Sequence, residues 1–426
     1  MLDMEYIKRV ADDALPFRIE STGCLLISGP KWCGKSTTAK RFAKTVVMMQ
    51  DPKMGRQFRL MADADPSLLL KGDTPLLVDE WQVAPELWDA IRNELDNRNE
   101  LGQFLLTGSS VPPDRGRIMH SGAGRFSRFV MRPMSLFESG ESNGEVSLSA
   151  MFDGYDGISG RSDMGLPEYA EAICRGGWPQ TIGRDIRVGL RLVRSFCEQL
   201  VESDMEKMLH VAHDPERVRK LLRAYARVVS TPAQTPAILK AMRDADDGTM
   251  GRNTIHDYLN ALRSLFIIEE LPCWHPDFRS RVTLMTTDKR HFVDPSIGCA
   301  FLSLSPKNVL DDLNGMGCLF ESLAVRDLRV YAEALEGRVF QYRDKSGLEA
   351  DAVMHLDDGR YALFEMKLFS EDNIEEGARH LKAITANLDM SKMRGGPSFL
   401  AVVTGTNFAY RRTDGVYVIP LSCLRP

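Results

Sequence analysis

The segment Gly29-Pro30-Lys31-Trp32-Cys33-Gly34-Lys35-Ser36 fits the pattern GxxxxGK[ST] at every defined position. It lies between a short apolar run, residues 24–28, and a stretch of helical spacing that begins after Lys35. A strand, a glycine-bearing loop and a helix in that order leave few folds open. The glycines let the backbone curl so that successive N–H groups face phosphate oxygens, Lys35 bridges the β- and γ-phosphates, and Ser36 ligates magnesium. The expected cradle runs from Gly29 to Thr37, and its expected ligand is ATP with Mg2+.

Two further apolar runs continue the pattern. Leu76-Leu77-Val78 ends in Asp79-Glu80, and Phe104-Leu105-Leu106 ends in Thr107-Gly108-Ser109. Short apolar runs separated by helices predict a parallel sheet covered on both faces. Asp79, at its strand end, is expected to reach the magnesium shell, and Glu80 to orient and deprotonate the attacking water. At the third strand end a polar side chain that senses the γ-phosphate is expected; Ser109 is the first choice and Thr107 the second, while a plain turn accounts for the same residues equally well.

At 426 residues the chain is too long for one hydrophobic core. Its composition, 43% apolar and 27% charged, is that of a globular protein, and a formal charge of -5 provides no global attraction for nucleic acid, so any polyanion site must be local. The eight cysteines show no C-x-x-C pair and no accompanying histidine cluster, which predicts buried thiols in a reducing compartment and no zinc site. His210 and His213 lie one turn apart without an acidic or cysteine ligand set, and read as surface residues. No apolar run approaches the roughly 18 residues that cross a bilayer, and the N-terminus lacks the pattern of a signal peptide, so a cytoplasmic protein without membrane partners is expected.

The chain divides into a P-loop core (1–140), a linker and helical lid (141–215), a winged helix-turn-helix (216–312) and a small α/β domain (313–426). Residues 138–165 are rich in Ser, Gly and Asp, which predicts a mobile connection or inserted loop. A turn at Thr231-Pro232, a helix over 235–244 and a second over 253–265, followed by strand-like stretches, give the winged-helix pattern. On the second helix Arg252, Asn253, Thr254, His256 and Tyr258 are candidates to face a DNA groove; docking against another protein surface fits the same residues.

Taken together, GPKWCGKSTTAKRFA, LLVDEWQ, FLLTGSS, HSGAGRF and MRPMSLFES, with EAICRGGWP, HFVDPSIGCAFL and GCLFESLAVRDL further on, closely resemble a family of prokaryotic AAA+ ATPases that end in a domain named DUF4143. The resemblance spans nearly the whole chain. It implies an α/β fold: an AAA+ P-loop core with a parallel sheet, then a winged helix and a restriction-endonuclease-like domain. It also implies a homo-oligomer, such as a hexameric ring, in which a basic residue just before the fifth strand completes the neighbouring subunit's site. Arg125 is that arginine-finger candidate, with Arg117 and Arg128 as rivals. In the nuclease-like part, Asp351 and Glu365 match the metal-binding acids of PD-(D/E)xK enzymes, Lys367 the lysine that activates water, and Glu321 a further acid on the preceding helix. Three functions follow: an ATP-hydrolysing machine that moves its C-terminal half, an ATP-regulated metal-dependent nuclease, or a nucleotide-gated switch that recruits a protein partner.

Overall fold

The computed structural model describes residues 6–110, 122–209, 214–243, 251–275, 287–345, 347–388 and 395–426. Arg117, His210 and His213 lie outside the described residues, as does the side chain of Arg252. The chain forms two compact units, and the first consists of Lys8–Arg132 with Ala261–Phe266.

The first unit is built on strands β1 (Cys24–Ser28), β2 (Thr45–Met48), β3 (Leu76–Asp79), β4 (Phe104–Gly108) and β5 (Phe126–Val130). They form a parallel sheet in the order β2-β3-β4-β1-β5. Helices α1 (Val10–Glu20), α2 (Lys35–Lys40), α3 (Gly55–Ala64) and α4 (Leu87–Arg98) accompany it. β3 and β4 are buried at every position, as strands covered on both faces must be. The register sets the functional edge: Ser28 lies opposite Gly108, and Val78 opposite Leu106, so the chain leaves β1, β3 and β4 at the same end of the sheet. Crevices outside the carboxyl ends of parallel strands are where ligands settle in such sheets.

The second unit consists mainly of Pro133–Asn260 and Ile267–Pro426. Its strands are β6 (Val146–Ser147), β7 (Gly160–Arg161), β8 (Gly337–Arg343), β9 (Glu349–Leu356), β10 (Tyr361–Lys367), β11 (Phe399–Thr404), β12 (Phe408–Arg411), β13 (Tyr417–Pro420) and β14 (Leu424–Arg425). Seven of them form a mixed sheet in the order β7-β12-β13-β11-β10-β9-β8. Its helices begin with α5 (Leu148–Phe152), α6 (Leu166–Arg175), α7 (Ile186–Gln199), α8 (Met205–Leu209) and α9 (Pro215–Ala226). Then come α10 (Thr235–Arg243), α11 (Arg252–Ser264), α12 (Pro295–Phe301), α13 (Pro306–Asp311), α14 (Leu313–Ala334) and α15 (Glu371–Asn387). α14 is buried nearly all round from Leu323 to Ala332, which marks it as the central helix of this unit.

The segment 138–165 is not a free connection. β7 pairs with β12, β6 pairs with β14, and Ser142 Oγ donates to the Leu424 carbonyl at 2.6 Å. Its Ser, Asn and Gly residues are turn and cap residues: Ser147 Oγ accepts from Ala150 N at the start of α5, and Asn143 Nδ2 donates to the Arg161 carbonyl at 2.7 Å. The polar composition reflects local hydrogen bonding by an ordered strand pair.

α10 and α11 fall where the sequence placed two helices, and after them Ile268 pairs antiparallel with Phe292, and Leu271 with Lys289. On α11 Asn253 and His256 are exposed, whereas Tyr258 is buried. Tyr258 therefore belongs to the core and is not available to a groove, contrary to the sequence reading; its position in the 255, 258, 259, 262 stripe is the reason. Among the described residues no helix is long and apolar enough to cross a membrane. All eight cysteines are free thiols, and only Cys318 is exposed.

Candidate functional site

The loop after β1 has a shape that its residues dictate. Gly29 takes φ 155°, and a Cβ there would stand 2.0 Å from the Met131 carbonyl oxygen. Gly34 takes φ 101° and even Trp32 is held at φ 73°, so the loop turns through left-handed backbone at two positions beyond Gly29. Arg9, which no sequence pattern singled out, is buried beneath it and donates to the Cys33 carbonyl at 2.7 Å and to the Arg132 carbonyl at 2.9 Å. Lys35 opens α2; its side chain is buried, and Nζ donates to the Pro30 carbonyl at 2.7 Å, folding the ammonium across the loop. Ser36 is half-buried beside it, while Lys31 and Thr37 are exposed.

Opposite the loop, Asp79 is buried at the end of β3 and accepts a hydrogen bond from Thr107 Oγ1 at 2.6 Å. The same Thr107 hydroxyl accepts from the Glu80 backbone N–H at 3.1 Å. Glu80 sits in left-handed backbone, φ 58° and ψ 48°, a strained conformation for a residue with a side chain. Its carboxylate is tied down: Ser109 Oγ donates to Oε2 at 2.8 Å, and Gln82 Nε2 donates to the same oxygen at 2.6 Å. Both Thr107 and Ser109 are thus engaged, the first with Asp79 and the second with Glu80. Gln82 reaches this point because the position opposite it is glycine; a Cβ on Gly108 would lie 3.0 Å from Trp81 Nε1 and 3.2 Å from Gln82 Oε1. Trp81 in turn leans on Trp88, which stacks on Phe126 with centroids 4.0 Å apart.

These residues fit a magnesium nucleotide. The loop turns on Gly29, where a side chain would collide, one buried ammonium lies within it, and a buried carboxylate stands at the end of β3, one strand beyond the neighbour of β1. Lys35 and the backbone N–H groups of the loop would hold the phosphates, and Ser36 with Asp79 the magnesium ion, which supplies charge neutralisation at the γ-phosphate. Arg125 lies immediately before β5, as expected of a finger candidate; it pairs with Asp96 and is 39% exposed. Arg128 is committed inside its own unit, donating to Ser28 Oγ at 2.9 Å and lying over the Phe266 ring.

The second group of candidates also converges, in the second unit. Asp351 on β9, Glu365 and Lys367 on β10 and Glu321 on α14 lie together, and Lys367 Nζ is 3.0 Å from Glu365 Oε2. Gly377 on α15 permits this packing, because a Cβ there would be 3.3 Å from both Glu365 Cβ and Lys367 Cε. The sequence reading missed the centre of the cluster. Lys289 is 2% exposed, and its Nζ lies 2.9 Å from Glu321, 2.7 Å from Glu349 and 3.0 Å from Asp351. Burial would lower the lysine pKa, but the three carboxylates outweigh it and hold the ammonium well above its ordinary value. Burial pushes Glu321 up to about 8 against the pull of Lys289, and burial with Asp351 beside it also raises Glu365 well above the usual carboxylate range. Asp351 is held below the usual range despite burial, by Lys289 and by the Met366 N–H at 2.9 Å. Among the described residues no group of three or more His, Cys, Asp and Glu is placed to hold a metal ion; here an ammonium stands among the carboxylates. The expected nuclease constellation is present as residues but engaged by lysines.

The fold and the first site define an AAA-type P-loop ATPase domain. Two domain models flank the chain's middle: the AAA_14 model, described as an AAA domain, matches residues 21–139, and DUF4143, a domain of unknown function, matches 316–424. A further domain of unknown function, DUF8612, matches residues 166–308, across the region read from sequence as lid and winged helix. Uncharacterized proteins of Mycobacterium tuberculosis and Mycobacterium bovis are each 22% identical over 402 residues, 93% of this chain and 79% of theirs. A Walker-type ATPase of Pyrococcus abyssi is similar over 70% of this chain and 96% of its own, at 13% identity and a TM-score of 0.45.

Proposed function

We propose that this chain binds ATP with Mg2+ on residues 29–37 and hydrolyses it, and that the nucleotide state is transmitted to its C-terminal half. The observation that carries the reading is the arrival of the Lys35 loop, Asp79-Glu80 and Thr107-Ser109 at one edge of a parallel sheet. Lys35 neutralises phosphate charge, Asp79 holds the metal, and Glu80 takes the proton of the attacking water. Arg125 acts on the nucleotide of a neighbouring subunit, so the working form is a homo-oligomer, in line with a ring. Exposed Asn253 and His256 leave α11 free to meet DNA or a protein partner. Titration of ATP and Mg2+ into wild type and Lys35→Ala tests the nucleotide assignment. The variant is expected to bind about 100-fold more weakly, the range for losing a charged hydrogen-bonding group. Equal affinities would remove the site from residues 29–37.

One observation favours slow turnover, as in a switch. The Glu80 carboxylate is held through Oε2 by Gln82 and Ser109, two donors that fix its position and occupy one of its two oxygens. Gln82→Ala is expected to raise basal phosphate release by about 3- to 10-fold, since a charge-assisted hydrogen bond of this kind stabilises by roughly 1.5 kcal/mol. A lower rate in steady-state phosphate assays would instead make Gln82 a residue that positions Glu80 productively.

A further inference from the structure

We infer that Lys289 is the resident cation of the acidic cluster formed by α14 and β9, and that its ammonium stands where a divalent cation would otherwise bind, so that the cluster as folded does not hold one. The inference is independent of nucleotide chemistry in the other unit.

Three carboxylates from two elements meet one nitrogen. Glu321 comes from α14, Glu349 and Asp351 come from β9, and their oxygens lie 2.7 to 3.0 Å from Nζ. An ammonium has three N–H groups, so the three contacts use its full donor capacity. The lysine is delivered rigidly: its backbone N–H donates to the Leu271 carbonyl at 3.0 Å, and the Leu271 N–H donates back at 2.9 Å. Nζ is therefore not a surface charge that has folded inward but one fixed by a paired backbone.

A second observation points to a metal and owes nothing to the lysine's own contacts. His291, two residues on, is fully buried, and its Nε2 has no hydrogen-bond partner among the described residues. That nitrogen lies 4.0 Å from Glu321 Oε1, and Nδ1 lies 3.4 Å from Ser322 Oγ. With Nδ1–H donated to Ser322, Nε2 presents a lone pair to the carboxylates, the arrangement by which a histidine ligates a metal while its other nitrogen is fixed. In that tautomer the buried Nε2 has no donor to accept from among the described residues while the ammonium is engaged by the carboxylates. Oxygen donors with one imidazole suit Mn2+ or Mg2+. Their bonds are shorter than 2.7 Å, so the side chains must close in by some tenths of an ångström once the lysine leaves.

The consequence for the nuclease-like module is that, as folded, it holds its acids around an internal positive charge. The cluster then ties the Leu271–Lys289 pair to α14 and β9 in place of binding a metal.

The test uses the full chain without nucleotide, with Mn2+ as probe and the free-ion paramagnetic resonance signal as readout. Lys289→Ala is expected to bind one Mn2+ at least about ten-fold more tightly than wild type, because a positive charge has left the ion position. Adding Glu321→Gln and Asp351→Asn should abolish the gain. No gain in a folded Lys289→Ala protein, or a gain that survives the added substitutions, overturns the inference. Should Lys289→Ala fail to fold alone, recovery of its circular dichroism by Mn2+ supports the inference, and no recovery overturns it. Wild-type binding of Mn2+ that disappears on Glu321→Gln and Asp351→Asn also overturns it, since the ion would then enter beside Lys289.

Discussion

Glu80→Gln is expected to bind ATP as tightly as wild type and to release phosphate about 10^2- to 10^4-fold more slowly, the range for loss of a positioned general base. The amide keeps the size of the side chain and can still accept from Ser109 and Gln82, which hold Oε2 at 2.8 and 2.6 Å, so the left-handed backbone at Glu80 is not disturbed. What it loses is the capacity to take a proton. The contacts to phosphate come from the loop at 29–37 and remain. ATP should therefore persist on the variant, and any assembly that depends on bound ATP should accumulate, visible as an earlier peak on a sizing column with ATP than without. Unchanged phosphate release would mean that another group activates the water.

Arg125→Ala is expected to lower phosphate release by about 10^3-fold while leaving ATP affinity near that of wild type, as loss of an arginine finger does. In the single chain the guanidinium pairs with Asp96, a partially exposed contact of the kind that contributes little to stability. The variant should consequently fold normally, which separates this outcome from unfolding. The discriminating step is mixing. Lys35→Ala supplies Arg125 but no phosphate site, and Arg125→Ala supplies the reverse, so mixed oligomers should regain part of the activity that neither has alone. Absence of recovery in mixtures that demonstrably co-assemble would leave Arg125 acting on its own subunit's site or on none.

The first unit was largely legible because its signals are local. An apolar run followed by a functional residue marks the ends of β1, β3 and β4, and a parallel sheet with one connection hand brings those ends to one edge. Arg125, by contrast, was singled out by the family resemblance, and it lies just before β5. What local patterns miss is side-chain reach. Gln82 comes back to Glu80 through a turn that Gly108 permits, and Arg9 acts on the phosphate loop from the start of the preceding helix.

In the second unit the α/β order of 313–426 was legible, yet its sheet takes β7 from residues that read as a loop. Pairing of Gly160-Arg161 with Phe408-Ala409 joins positions some 250 residues apart, and no periodicity in two residues announces it. Lys289 was invisible for a different reason. Its neighbours Asp288 and Arg290 make a charged run that resembles a solvated surface, whereas Lys289, Arg290 and His291 are all buried in the segment that pairs with Leu271. Tyr258 shows the reverse case, a polar-tipped residue offered as a groove candidate although its helical phase is that of the core.

The central claim is hydrolysis at the loop that ends in Lys35, and a single-turnover experiment meets it head on. Protein in excess over γ-labelled ATP, with Mg2+, should convert the label to free phosphate in wild type and leave it on ATP in Lys35→Ala. Equal conversion by the two proteins, or conversion by neither, would contradict the account.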